Sequence, residues 1–116
     1  MPTTNDVVNQ HLKSFAEKNV EGVLADYASD AVFFVPGGPL RGTAAIKPFF
    51  EAIVAEFSKP GASFSLSQQH ADGEYAYILW SGETADNTYE AATDTFVVRN
   101  GKIAVQSFAG KMAAKN

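Results

Sequence analysis

Residues 89–109 read YEAATDTFVVRNGKIAVQSFA, and this stretch decides the fold because two β-prone runs flank a two-residue turn. The turn is Asn100-Gly101, a pair that supplies the positive φ needed at both positions of a type I′ hairpin. The flanking runs, Tyr89–Arg99 and Lys102–Ala109, contain the β-branched and aromatic residues that favour strands. The sequence therefore predicts an antiparallel hairpin in the second half of the chain.

The same pattern extends upstream of this hairpin. Two further β-prone runs are separated from each other and from the hairpin by turn-forming dipeptides; they are Phe64–His70 and Glu74–Thr84. Together the four runs predict an antiparallel meander.

The first half of the chain predicts helices instead, because apolar residues recur there at spacings of three and four. The first helix begins after a cap at Thr3 or Thr4 and ends near Asn19. A short second helix runs from Val20 and carries Tyr27 on its apolar stripe. The two form a helical hairpin.

A brief β-prone run, Ala31–Val35, follows and is stopped by a Pro-Gly-Gly-Pro loop at residues 36–39. A third helix begins at Gly42-Thr43, and Pro48 in its first turns is expected to bend it. Helices followed by antiparallel strands indicate an α+β fold in which the helices cover one face of a curved sheet. With 116 residues the chain is expected to form one domain, residues 1–116.

Composition excludes several classes of function. The net charge of −4 argues against nucleic acid and anionic membranes as partners, and the absence of cysteine excludes thiol nucleophiles and zinc–thiolate sites. The start of the chain does not resemble a signal peptide, and the longest apolar runs are too short to cross a membrane. His11 and His70 show no ligand spacing. We therefore expect a cytoplasmic protein without metal or cofactor.

The run from Glu74 to Thr84 looks apolar on both faces. One face carries Tyr75, Tyr77 and Leu79, and the other carries Ala76, Ile78 and Trp80. Helices can cover only one face of the sheet, so the Trp80 face is expected to meet a second copy of the chain in a homodimer. The alternative is a strand buried within one copy.

The main candidate for chemistry is Asp94. Period-2 alternation places its carboxyl group on the apolar face of its strand, beside Phe96. A buried carboxylate must find hydrogen-bond donors or take up a proton, and the second outcome suits a general acid. Gln106 shares the apolar face of the next strand, where its amide can meet Asp94 across the sheet. The alternative is a purely structural Asp–Gln pair.

At this point two segments resemble a known family: ADYASDAVFFVPGGPLRGTAAIKPFF at residues 25–50 and TDTFVVRNGKIAVQSF at residues 93–108. They are similar to the SnoaL-like and ketosteroid isomerase-like branch of the nuclear transport factor 2-like superfamily. The resemblance covers nearly the whole chain. It implies a cone-shaped, cystatin-like fold in which a strongly bent sheet wraps the helices around an apolar cavity. It also implies homodimers that form through the outer face of the sheet.

The residues of ketosteroid isomerases carry over only in part. The resemblance places the general-base aspartate of those enzymes at Val35 and the tyrosine donor of their oxyanion hole at Phe15. The valine side chain cannot accept a proton, and the phenylalanine side chain has no hydroxyl group to donate a hydrogen bond. The second oxyanion donor, a protonated aspartate, matches Asp94. Because that isomerisation needs a base as well as an acid, the absence of the base excludes the ketosteroid isomerase route. SnoaL-like polyketide cyclases imply a single acidic residue near Asp94, which keeps a cyclase mechanism open, whereas the Asp-Arg-Asp set of epoxide hydrolases has no clear match.

Two functions therefore remain. The first is a cofactor-independent enzyme of the isomerase or cyclase type that acts on a small hydrophobic carbonyl compound, with Asp94 as acid or base and Gln106 orienting it or the substrate. The second is a non-catalytic module for ligand binding or dimeric interaction. Both use one apolar pocket, with these expected lining residues: Phe15, Tyr27, Phe33, Val35, Phe50, Tyr77, Leu79, Phe96 and Phe108.

Overall fold

A computed structural model describes residues 2–115 of the chain, which form three helices and six strands. The helices are α1 (Thr4–Ala16), α2 (Val20–Ala25) and α3 (Thr43–Ser58). The strands are β1 (Tyr27–Val35), β2 (Gly38–Arg41), β3 (Ser63–Asp72), β4 (Tyr75–Glu83), β5 (Asn87–Arg99) and β6 (Lys102–Ala114). The predicted α+β class and the four-strand meander β3–β6 are confirmed.

The strands form one curved, open sheet in the order β2-β1-β6-β5-β4-β3. All neighbouring pairs are antiparallel except β1 and β6, which run parallel with Val32 opposite Val105. The sheet is therefore mixed, whereas the sequence predicted an antiparallel one. The predicted loop at residues 36–39 is shorter in the structure, because β2 begins at Gly38 and pairs back onto β1. Register shifts within four of the strand pairs add local bends to the sheet.

The predicted turn at Asn100-Gly101 is confirmed, with φ of 53° and 73° at the two positions. The strand ends that flank it, Arg99 and Lys102, are paired in the ladder. Positive φ at both turn residues is the signature of the type I′ hairpin, whose twist matches that of the strands.

The helix boundaries differ from prediction at Tyr27. Helix α1 starts after Thr3, whose side chain and that of Asp6 form a reciprocal capping box. Helix α2 ends at Ala25, and Tyr27 opens β1 instead of continuing the helix. The reason is that the Asp26 carbonyl accepts a hydrogen bond of 2.8 Å from the Ile103 amide, which recruits the chain into the sheet.

The orientation of β4 corrects the prediction for Trp80. Its side chain is only 5% exposed and lies on the inner face, beneath the helices, whereas Tyr75 on the outer face is 59% exposed. The pairing between β4 and β5 places Ile78 opposite Asp94 and Trp80 opposite Ala92, so all four side chains share the inner face. The expectation that the Trp80 face meets a second copy was wrong.

Glu56 of α3 holds the β4–β5 connection in place. Its Oε2 accepts hydrogen bonds from the Thr84 hydroxyl (2.6 Å), the Asn87 side-chain amide (2.9 Å) and the Tyr89 hydroxyl (2.8 Å). One carboxylate on the helix thereby joins the helix layer to both strands of the hairpin.

Candidate functional site

A cavity of about 50 Å³ lies between the helices and the inner face of the sheet. Most of its wall is aromatic and aliphatic, and five of the predicted pocket residues line it: Phe15, Phe33, Phe50, Phe96 and Phe108. The polar or hydrogen-bonding side chains in the wall are His11, Trp80, Asp94 and Gln106. An apolar chamber with a few convergent polar groups is the usual form of a small-molecule site.

An open groove of about 430 Å³ adjoins the cavity and shares Leu12, Phe15 and Phe64 with it. The rings of Phe15 and Phe64 lie 6.3 Å apart between their centroids, at the boundary of the two spaces. Phe64 is 40% exposed. These aromatic side chains therefore lie at the boundary between the inner cavity and the open groove.

Asp94 is the acidic residue of the cavity and is 7% exposed. Its Oδ1 accepts a hydrogen bond of 2.9 Å from Gln106 Nε2, and its Oδ2 accepts one of 2.9 Å from Trp80 Nε1. Burial raises the pKa of Asp94, and the hydrogen bonds from Trp80 and Gln106 partly offset that rise. The carboxyl group therefore holds a proton more readily than a solvated aspartate does.

Gln106 connects Asp94 to a tyrosine. The Tyr27 hydroxyl donates to Gln106 Oε1, and the amide nitrogen of the same side chain donates to Asp94. Burial raises the pKa of Tyr27 well above its ordinary value, with further increases from Asp94 and Asp26, so Tyr27 remains a neutral donor. The contact predicted between Asp94 and Gln106 is present, and Tyr27 adds a third member.

The predicted pocket residues are brought together only in part. Tyr77 and Leu79 alternate with the buried residues of β4 and therefore lie on the outer face, away from the cavity, so their assignment to the pocket was wrong. Val35 packs against the core at the end of β1 and is not part of the wall. Tyr27 lies behind Gln106 rather than in the wall itself.

Two of the four hydrogen-bonding wall residues, Trp80 and His11, were not among the predicted site residues. His11 is 5% exposed on α1, and its ring meets those of Tyr27, Phe50 and Phe96 at centroid distances of 5.6 to 5.8 Å. A signal for it exists in the sequence, because His11 follows the buried residue Val8 by three positions, on the same helical stripe. Sequence reasoning weighed this histidine only as a metal ligand.

The described residues offer no obvious place for a metal ion. Within residues 2–115 there is no cluster of three or more His, Asp or Glu side chains close enough to share one. None of the helices in that part of the chain is both long and apolar enough to cross a membrane.

Comparisons with known proteins agree with this architecture. The sequence model of a family described as SnoaL-like domain matches residues 8–106. No curated protein matches the chain. An NTF2-like protein of unknown function from Cytophaga hutchinsonii superposes with a TM-score of 0.79 at 14% identity, over 96% of this chain and 92% of that one.

Two further solved structures have the same fold. A protein of Sinorhizobium meliloti, described as a "putative polyketide cyclase", has a TM-score of 0.75 at 19% identity and covers 94% of this chain and 95% of its own. TerC, co-crystallized with polyporic acid, has a TM-score of 0.75 at 16% identity, with coverage of 93% and 91%. Likeness at these identities establishes the fold and leaves the function to the residues of the site.

Proposed function

The chain belongs to the SnoaL-like domain family, and from this premise we propose that its cavity binds a small hydrophobic carbonyl compound on which Asp94 acts as acid or base. The reaction type is isomerisation or ring closure without a cofactor. Gln106 and Trp80 hold the Asp94 carboxyl group in one orientation.

The observation that carries this proposal is the position of Asp94. A carboxyl group buried in an aromatic chamber has a raised pKa because burial disfavours its charged form, so it can donate a proton or hydrogen bond to a carbonyl oxygen. One protein of this fold is described as a cyclase of polyketides, which are rich in carbonyl groups, and this supports the substrate class.

A second candidate function is ligand binding without turnover. The observation that favours it is the closed network around Asp94, in which each carboxylate oxygen already accepts one hydrogen bond. Such a fully satisfied network also serves a structural role. In this case Asp94 would hold the polar end of a bound molecule.

Binding and turnover of a fragment set of small cyclic ketones separate the two functions, with the wild type compared to Asp94→Asn. We expect ketones to perturb NMR signals of the cavity residues in both proteins and turnover to be lost in the variant. Equal turnover in both would contradict the catalytic role of Asp94. If the wild type binds ketones but converts none of them, the second function, ligand binding without catalysis, is supported instead.

We also propose that the chain forms a homodimer through the outer face of the sheet, around Tyr77 and Leu79. Tyr75 on this face is 59% exposed, and contiguous exposed apolar surface is typical of interfaces. This replaces the assignment of the interface to Trp80, which lies on the opposite face.

A further inference from the structure

Two buried side-chain atoms in residues 2–115 have no hydrogen-bond partner, and they face each other. They are Nδ1 of His11 and Oδ2 of Asp26, which lie 3.7 Å apart. The two side chains are only 6% and 12% exposed. Buried polar atoms are nearly always hydrogen-bonded, so a pair left just beyond bonding distance calls for an explanation.

The pair joins one residue of the cavity wall to one residue outside the wall. His11 lies in the cavity wall on α1, together with Asp94, whereas Asp26 lies at the end of α2 and outside the wall. The His11 ring is confined by edge contacts with Tyr27, Phe50 and Phe96. Its orientation is therefore fixed by packing.

The position of Asp26 determines which ring nitrogen carries the proton. A carboxylate only accepts hydrogen bonds, so it favours the tautomer of His11 that has its proton on Nδ1. The lone pair then resides on Nε2, which is not among the buried atoms without a partner, and the ring forms part of the cavity wall. An imidazole of the cavity wall that carries its proton on Nδ1 can accept a second proton at Nε2, and a carboxylate next to Nδ1 stabilises the imidazolium that forms.

His11 and Asp94 are also close enough to influence each other. Burial raises the pKa of Asp94 and the hydrogen bonds from Trp80 and Gln106 lower it, and a positive charge on His11, once that ring has accepted a proton, lowers it as well. The cavity wall thus contains an imidazole, which can accept a proton, and a carboxyl group whose raised pKa favours holding one. Pairs of titratable groups whose surroundings separate their roles are the mark of acid–base sites.

We infer that His11, oriented by Asp26, is the proton acceptor of the cavity and works opposite Asp94, so that the substrate is a ketone with a C–H bond beside its carbonyl group. The inference rests on the proposed function and deepens it. His11 is the catalytic residue in this assignment, and Asp26 is a positioning residue. It also supplies the base that Val35 does not provide.

The proton-transfer step balances with these two groups. His11 Nε2 takes the proton from the carbon beside the carbonyl, the C–H electron pair becomes the C=C bond, and the carbonyl π pair moves to oxygen. That oxygen receives the proton of Asp94, whose carboxylate is then held by Trp80 and Gln106. When the proton on His11 is replaced by one from solvent before it returns to the same carbon, the result is hydrogen exchange, and its return to a conjugated carbon gives isomerisation; in both cases the enol O–H proton goes back to Asp94 as the carbonyl re-forms. In ring closure the C=C pair of the enol forms a bond to the carbon of a second carbonyl group, whose π pair moves to its oxygen and takes the proton from His11, while the enol O–H returns its proton to Asp94 and the first carbonyl re-forms.

The tautomer of His11 tests the inference without any substrate. In protein labelled with ¹⁵N at histidine, long-range proton–nitrogen NMR should show Nδ1 protonated and Nε2 bare. The isosteric Asp26→Asn removes the carboxylate and should increase the Nε2-protonated form, whereas Asp30→Asn, at an exposed position, should leave the tautomer unchanged. A wild type with the proton on Nε2 would overturn the inference.

Hydrogen exchange of cyclohexanone in D₂O tests the reaction step. We expect the wild type to accelerate loss of the protons beside the carbonyl group, followed by NMR, and His11→Gln to lower that rate by about 100-fold or more. Asp26→Asn should lower the rate as well, while thermal unfolding of both variants verifies that they are folded.

The outcomes separate the inference from the function on which it rests. Exchange that persists in His11→Gln but is lost in Asp94→Asn would overturn the role of His11 and leave the proposed function in place. Binding of cyclohexanone without exchange in the wild type would also overturn it and leave a binding site. If cyclohexanone does not perturb the cavity signals of the wild type, the proposed function fails, and the inference fails with it.

Discussion

The indole Nε1 of Trp80 donates a hydrogen bond of 2.9 Å to Oδ2 of Asp94, inside the cavity. The two residues lie on neighbouring strands, β4 and β5, and project from the same face of the sheet. A large apolar side chain therefore both desolvates the carboxyl group and supplies one of its two donors. These effects act on the pKa of Asp94 in opposite directions, and desolvation is the larger.

Replacement of Trp80 by phenylalanine separates the two effects. Trp80→Phe keeps an aromatic ring in the wall but removes the donor to Asp94, so the pKa of Asp94 should rise further. Carbon NMR of the carboxyl group over a pH series measures it. Phe64→Leu is the matched control, because the Phe64 ring packs on Trp80 at 5.2 Å without bonding to Asp94. An unchanged or lowered pKa in Trp80→Phe would contradict the role of this hydrogen bond.

Removal of the Tyr27 hydroxyl should destabilise the fold. In Tyr27→Phe the Oε1 of Gln106 loses its donor in a buried site, and the free energy of unfolding should fall by about 1–3 kcal/mol. Urea denaturation measures the change. Tyr75→Phe, on the exposed outer face, serves as the control and should leave stability within about 0.5 kcal/mol. Equal stability of Tyr27→Phe and wild type would show that Gln106 does not depend on this donor.

The stability of Asp94→Asn relative to wild type should depend on pH. Because burial raises the pKa of Asp94 in the folded protein above the ordinary 3.8, the folded state retains a proton that the unfolded chain has released. This contribution to stability is fully present below the ordinary pKa and is lost as pH rises through the folded value. Asp94→Asn has no carboxyl group to titrate at this position. Its free energy of unfolding should therefore increase relative to that of the wild type as pH rises. Denaturation at about pH 4 and about pH 8 measures the difference, and a gap that stays constant or runs the other way would contradict the account.

A charge on the outer sheet face should disrupt the proposed dimer. Leu79 lies on that face opposite Thr93, and Leu79→Lys would place a charge in the interface. Analytical ultracentrifugation should show a dimer for the wild type and a monomer for the variant. Glu51→Lys, at an exposed position of α3, should remain a dimer. A monomeric wild type, or a dimer that survives Leu79→Lys, would contradict the assignment.

Much of the fold could be predicted because it depends on local signals. The threonine cap of α1 and the Asn100-Gly101 turn are decided by residues a few positions apart, and both occur as predicted. The alternation in β5 likewise placed Asp94 on the buried face. Tyr27 was assigned to a helix, whereas its strand conformation depends on a residue that is distant in sequence. The amide of Ile103 donates a hydrogen bond to the Asp26 carbonyl and draws the chain into the sheet.

The orientation of β4 could not be predicted for a similar reason. Both faces of that strand are apolar, and its inner face is set by the register with β5, which brings together residues distant from the helices in sequence. A shift of one residue exchanges the two faces of a strand. For the candidate site, this error moved Trp80 out of the cavity and Tyr77 and Leu79 into it. His11 was overlooked because its partner, Asp26, becomes its neighbour only once α1 and α2 pack together.

The most direct test of the account is the pKa of Asp94 in the wild-type protein, measured by carbon NMR of its carboxyl group and assigned with Asp94→Asn. We predict a value clearly above the ordinary 3.8, because burial outweighs the two hydrogen bonds that favour the carboxylate. The closer that value lies to the working pH, the larger the fraction of Asp94 that carries a proton to donate to a carbonyl group in the cavity. A value at or below 3.8 would identify Asp94 as an ionised structural carboxylate and would contradict its proposed role as an acid.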